Sequence, residues 1–211
     1  MASIKINHHY NLLCDRAGDI NEHLPTLRNY ASKCESVLEL GVRGCVSSWA
    51  FASGLIENGL EKKELILNNK EVCDVNYFLG LCGDIELGLN VKYKWINDLE
   101  WDVSNINVDL LFIDTWHVYP QLKKELEIFS KITNKYIIMH DTEIDGEQGE
   151  SIRLGSDITR QSNESGFKVE DIACGLHKAI YEFLTNNTDW AFLEHFENNN
   201  GLMILKRHGI Y

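Results

Sequence analysis

Residues 36–51 read SVLELGVRGCVSSWAF, from Ser36 to Phe51. Val37, Leu38 and Leu40 form a short apolar run, Glu39, Gly41 and Gly44 punctuate it, and Ser47-Ser48-Trp49-Ala50 can open a helix. An apolar strand that ends in a glycine turn and feeds a helix is the first β-turn-α unit of a nucleotide-binding α/β domain. There glycines admit backbone N–H groups to a ligand, and the helix N-terminus favours negative charge. The dinucleotide fingerprint G-x-G-x-x-G is not met, because Arg43 stands where its second glycine falls.

Downstream of this unit, strands and helices alternate. A crossover helix is expected over Ser47–Asn58, then a strand over Glu64–Asn68, a helix over Val72–Leu81 and a strand over Lys92–Ile96. Val108–Ile113 is a buried apolar run stopped by Asp114. A helix over Gln121–Lys131 places Leu122, Leu126 and Phe129 on one face, and Lys135–Met139 is a further buried strand. Residues 143–170 are polar and glycine-bearing, too long for a simple connection, and read as a lid-like insertion with a short helix around Ser156–Gln161. A helix over Leu176–Thr185 precedes Trp190–Phe196 and Leu202–Arg207, two strands so close that they pair as a hairpin. Upstream, residues 1–35 are a lead-in with a helix from Leu24 or Pro25, and His8-His9 sit in a disordered tail. The fold class is α/β: a Rossmann-like, seven-stranded, mostly parallel sheet with helices on both faces and a C-terminal antiparallel hairpin. Residues 36–211 are one domain.

Composition narrows the partners. The 211 residues carry 32 acidic against 20 basic side chains, a net charge of −12, which gives no electrostatic footprint for nucleic acid or an anionic membrane. No apolar run approaches the roughly 20 residues of a membrane span, and the N-terminus MASIKINHHY has no signal-like apolar core. Six scattered cysteines without a C-x-x-C pair suit reduced thiols, and a cytoplasmic location is expected.

In open parallel sheets, ligands sit at the carboxyl ends of the strands. The polar residues there are Glu39 and Gly41, Asn68 and Asn69, Asn97 and Asp98, Asp114 to His117, and His140-Asp141-Thr142. Clusters at five strand ends on one edge of the sheet point to a ligand site. Carboxylates from two adjacent strand ends make an oxygen-rich site for a hard divalent cation.

The pattern Glu39-x-Gly41-x-x-Gly44-Cys45, with the strand order above, resembles motif I of class I methyltransferases that use S-adenosylmethionine (SAM). The resemblance spans roughly Val37 to Arg207. It implies that Glu39, Gly41, Arg43, Gly44 and Ser47 surround the amino acid end of SAM. It also implies that Asn68 or Asn69 meets the ribose, where an acid is usual, and that Asn97 and Asp98 meet the adenine, with Asp114 and Trp116 beside the donor. Plain turn formation is the alternative for Asn68, Asn69 and Asp98.

Asp114-x-x-His117 and Asp141 further resemble the metal-dependent sugar O-methyltransferases of the macrolide type, with His140 in place of an acid. That resemblance implies Mg²⁺ or Mn²⁺ held by Asp114, Asp141, Thr142 and either His140 or no fourth side chain. It implies, too, that the metal activates a sugar hydroxyl, that His117 is the general base, and that Asp114 and His140 belong to the same catalytic group. The acceptor that the resemblance implies is a small-molecule or glycan sugar. Asn-, Ile- and Lys-rich usage also resembles a domain of a larger glycosyltransferase-type protein of a large DNA virus, which would act in host cytoplasm. Two alternatives stand beside this reading: a metal-dependent hydroxylase on the same fold, resembling cephalosporin hydroxylase, and a non-catalytic nucleotide-binding domain. Trp116 and Tyr119 either stack on a sugar or belong to the core. Arg153, Arg160, Glu143, Asp145, Glu147 and Glu150 read as solvated lid charges. The tail His195–Leu205 resembles the closing hairpin of glycan-modifying relatives.

Overall fold

The structure is a computed structural model and describes residues 2–209. Its strands are β1 (Ser36–Leu40), β2 (Lys63–Asn69), β3 (Leu89–Trp95), β4 (Val108–Ile113), β5 (Thr133–His140), β6 (Trp190–Phe196) and β7 (Leu202–Arg207). They form one sheet in the order β3-β2-β1-β4-β5-β7-β6, parallel except at β7, which pairs antiparallel with both β5 and β6. The helices are α1 (Ala2–Asp15), α2 (Leu24–Ala31), α3 (Val46–Glu57), α4 (Asn76–Cys82), α5 (Tyr119–Phe129), α6 (Glu150–Arg153), α7 (Ile158–Ser165), α8 (Val169–Ile172) and α9 (Leu176–Asn186).

The central strands are apolar on both faces because helices cover both. Val37, Leu65, Leu67, Leu110 and Phe112 pack under α1, α2 and α3, whereas Leu38, Leu40, Ile66, Leu111 and Ile113 pack under α5 and α9. This two-residue alternation fixes one polar residue too. Glu39 shares its face with Val37, so it points beneath α3.

Residues 2–35, read as a lead-in with a helix from Leu24 or Pro25, pack onto the first core from α1 onward. Ile6, Tyr10, Leu24 and Leu27 are buried in the first core, and the ring of His9 stacks on Trp49 at 4.7 Å. His8 and His9 therefore lie in a packed helix rather than a disordered tail; Ile6 and Tyr10, four residues apart, supply its apolar stripe. Residues 143–170 form three short helices, of which α7 overlaps the expected one. No helix among the described residues is long and apolar enough to cross a membrane.

Candidate functional site

Strand register builds the site. Leu40 pairs with Ile113, and Ile113 with Met139, so Gly41, Asp114 and His140 stand abreast at the ends of β1, β4 and β5. Gly41 has φ +91°, and a Cβ there would lie 1.8 Å from the Asp114 carbonyl oxygen. Only glycine lets the turn pass this close to β4. Arg43 and Cys45 also take left-handed backbone (φ +38° and +58°), as does Asp141 (φ +56°) at the end of β5. Such conformations cost energy and collect at binding sites.

These ends open into a cavity of about 770 Å³, within the range of ligand pockets. On one side it is walled by Gly41, Arg43, Gly44 and Ser47, by Asn68 and Asn69, and by Asn97 and Asp98. Asp114, Trp116, His117, Asp141 and Glu150 wall the other side. Of the expected donor-side residues, Glu39 alone is not on the wall. It is fully buried and accepts hydrogen bonds from Ser47 and Ser48, the latter at 2.7 Å. Burial pushes its carboxyl up to about 8, against the pull of the two hydroxyls. Asn68 donates to the carbonyls of Lys94 (3.2 Å) and Ile96 (3.0 Å), which locks its side chain across β2 and β3. Asn69 accepts from the Arg43 amide and donates to the Glu71 carbonyl, tying the glycine turn to the next loop. Asn97 accepts from the Leu99 amide as a helix cap. Asp98 accepts from Gln121 at 3.1 Å, and Gln121 also donates to the buried Glu125. Burial, with Asp98 alongside, raises the Glu125 carboxyl well above its ordinary value.

The second side is an excess of acid around two histidines. The His117 Nε2 lies 3.1 Å from Asp114, and its Nδ1 lies 3.0, 3.4 and 3.1 Å from Asp141, Asp145 and Glu150. Burial alone would lower the His117 pKa, but these four carboxylates outweigh it and raise it well above 6.5. Burial would likewise raise Asp114, yet His117 and His140 hold it well below the usual carboxylate range. His140 is raised in the same way, chiefly by Asp114 against burial.

The group fits a cation. Asp114, His140 and Asp141 each offer an atom, all within 4.8 Å of one another, and so do His117, Asp141 and Asp145. The His140 Nδ1, Asp141 Oδ1 and His117 Nδ1 atoms are buried without hydrogen-bond partners. Carboxylates buried this close together need positive charge beside them, which protonated imidazoles or a bound cation can supply. A set of carboxylates and imidazoles matches a divalent ion. Thr142 is sealed behind this group and does not reach the cavity wall; its hydroxyl is buried without a partner.

Two expectations are corrected. Asp145 and Glu150 are not solvated lid charges. Asp145 has no solvent exposure and is gripped by Arg153 through two hydrogen bonds of 2.6 and 2.8 Å. The Asp145 amide bonds back to the Asp141 carbonyl in a single turn, which brings residues 141 and 145 to the same side. Glu150 opens α6, and its amide donates to the His117 carbonyl at 2.9 Å. Gly175 permits this closure, since a Cβ there would strike the Gly146 carbonyl oxygen at 2.3 Å. Tyr119 belongs to the core and bonds Glu182, whereas Trp116 reaches the cavity with its ring stacked on Phe167 and its Nε1 donating to Ser151. The i, i+4 spacing of Asp141 and Asp145 was the available sequence signal for the missed acid.

No protein-family model matches the chain, and the search of curated proteins gives no match. Solved structures do resemble it. An O-methyltransferase from Bacillus cereus in complex with S-adenosylhomocysteine (SAH) is 16% identical, with 97% of this chain and 88% of that chain covered and a TM-score of 0.59. TomG, an O-methyltransferase of tomaymycin synthesis from Streptomyces achromogenes in complex with SAM, is 12% identical over 99% and 90%, with a TM-score of 0.58. The N-terminal domain of EvdMO1, in the presence of SAH and D-fucose, is 12% identical over 90% and 83%, with a TM-score of 0.52. At these identities the likeness is one of fold: the chain has the Rossmann-like methyltransferase fold.

Proposed function

We propose that this chain is a SAM-dependent O-methyltransferase that methylates a hydroxyl of a small-molecule or glycan sugar with the help of a divalent metal. One observation carries the reading: register sets the glycine turn, Asp114 and the Asp141–His117 cluster side by side on a single cavity. TomG in complex with SAM, and the N-terminal domain of EvdMO1 in the presence of SAH and D-fucose, support it by analogy.

In this reading, SAM lies across the ends of β1, β2 and β3. Arg43, Gly44 and Ser47 meet its amino acid end, Asn68 or Asn69 the ribose, and Asn97 and Asp98 the adenine. Glu39 acts beneath Ser47, holding the turn rather than touching the ligand. Asp98 keeps its orientation through Gln121 and Glu125. Asp114 and Asp141 would hold the Mg²⁺ or Mn²⁺, which would supply the charge that lowers the pKa of the acceptor hydroxyl. His117 takes the hydroxyl proton, and only its neutral form can do so. A cation there would neutralise Asp114 and Asp141, two of the four carboxylates that keep the ring charged. Alignment of the oxygen with the methyl group is then mainly positioning.

Calorimetric titration of SAM, SAH and NAD into the purified chain tests the donor assignment. Micromolar binding of SAM or SAH without NAD binding is expected. Binding of NAD instead, or of none of the three, contradicts it.

A further inference from the structure

We propose that His140 is a nitrogen ligand of the divalent-cation site, through Nδ1, and that it makes the site select borderline transition ions over Mg²⁺. The inference rests on the metal-assisted reading above and adds to it which side chain completes the site and which ion class follows. Its ground is the hydrogen bonding on the far edge of the ring. The His140 Nε2 faces two backbone carbonyls, Asp19 at 3.1 Å and Asn199 at 3.2 Å. A carbonyl oxygen only accepts, so Nε2 carries the hydrogen and donates it. In the neutral ring that leaves Nδ1 as a bare lone pair.

The lone pair is aimed at the acids. The Nδ1 atom lies 3.5 Å from Asp114 Oδ1 and 3.5 Å from Asp141 Oδ1, has no hydrogen-bond partner, and belongs to a side chain only 1% exposed. Asp141 Oδ1 is likewise buried and without a partner. One nitrogen and two carboxylate oxygens thus lie within 4.8 Å of one another.

The ring cannot easily turn away. Its backbone pairs with Leu202 in β7, and the ring of His23 abuts it edge-on at 5.8 Å. His23 is itself bonded to the Asn198 carbonyl at 2.9 Å, so the lead-in and the β6–β7 turn both position the ligand. A backbone-carbonyl bond on the distal nitrogen is the usual support of a metal-binding imidazole. Imidazole nitrogen favours later first-row ions, whereas Mg²⁺ prefers an all-oxygen octahedron.

Pulsed electron paramagnetic resonance of the Mn²⁺-loaded chain reads the ligand directly, and Mg²⁺ or Co²⁺ competition reads the preference. Expected are a directly coordinated ¹⁴N signal that persists in His117→Gln and vanishes in His140→Asp, and displacement of Mn²⁺ by Co²⁺ at far lower concentration than by Mg²⁺. In His140→Asp the preference for Mn²⁺ over Mg²⁺ should fall by about tenfold or more. If His140→Asp does not fold, the wild-type and His117→Gln spectra still decide. Mn²⁺ binding that depends on Asp114 and Asp141 but shows no ¹⁴N signal, or a signal lost in His117→Gln, overturns the inference and leaves the metal reading standing. Absence of Mn²⁺ binding overturns both.

Discussion

The two sides of the cavity are built on opposite terms. On the donor side, under β1 to β3, most polar side chains already have partners: Glu39 with two serines, Asn68 with two carbonyls, Asn69 with the glycine turn. On the acceptor side, at the ends of β4 and β5, four carboxylates crowd one imidazole, and four buried atoms, on His117, His140, Asp141 and Thr142, lack partners. A satisfied network holds its shape without help, whereas a half-satisfied one is costly. The donor side is therefore a preformed mould, and the acceptor side is completed by what binds there.

The sharpest way to break this contrast is His117→Gln. Loss of the base should lower kcat for methyl transfer by about 100- to 10,000-fold while SAH affinity, measured calorimetrically, stays unchanged. A matching loss of SAH affinity would show that the two sides are not separable. Asp141→Ala should abolish metal binding and reduce transfer by at least about 100-fold, again sparing SAH; metal binding retained in the variant would place the ion elsewhere.

Glu39 tests the donor side through pH. Its carboxyl is pushed up to about 8 by burial, from an ordinary 4.5, so the folded chain keeps a proton that the unfolded chain releases. That proton's stabilisation is full below about 4.5 and is lost as pH rises to about 8. Glu39→Gln, which cannot ionise, should gain on the wild type by a few kcal/mol in relative stability between about pH 5 and pH 9. Parallel Tm profiles for the two chains would contradict the assignment. The smallest effect is expected at Asp145→Asn, which weakens the paired bonds from the partly exposed Arg153. A loss of about 1–3 kcal/mol in urea unfolding is expected, with SAH binding intact.

The sheet was legible because its strands are continuous apolar runs with polar stops. Val108–Ile113 ends in the structure where the sequence places it, and the same stops named Asp114, His117 and Asp141. Less legible was whatever depends on packing between distant segments. Asp145, Glu150 and Arg153 sit in a polar stretch without periodicity, and contacts with distant segments turn it inward: the close approach of Gly175 to Gly146 and the Glu150 amide bond to the His117 carbonyl. Glu39 shows the converse. Its motif suggested ligand contact, but strand alternation turned it under α3, with Ser47 between it and the cavity. His8 and His9 masked the apolar stripe of α1 for a related reason: two polar residues hid a repeat visible only at helical spacing.

The most direct test of the account is transfer of labelled methyl from SAM to a panel of free hexoses and deoxyhexoses, with EDTA, with EDTA then excess Mn²⁺, and with Asp114→Ala. The account predicts an O-methylated sugar whose formation stops with EDTA, returns with Mn²⁺, and is absent in the folded variant. Transfer indifferent to EDTA and to Asp114→Ala would contradict it.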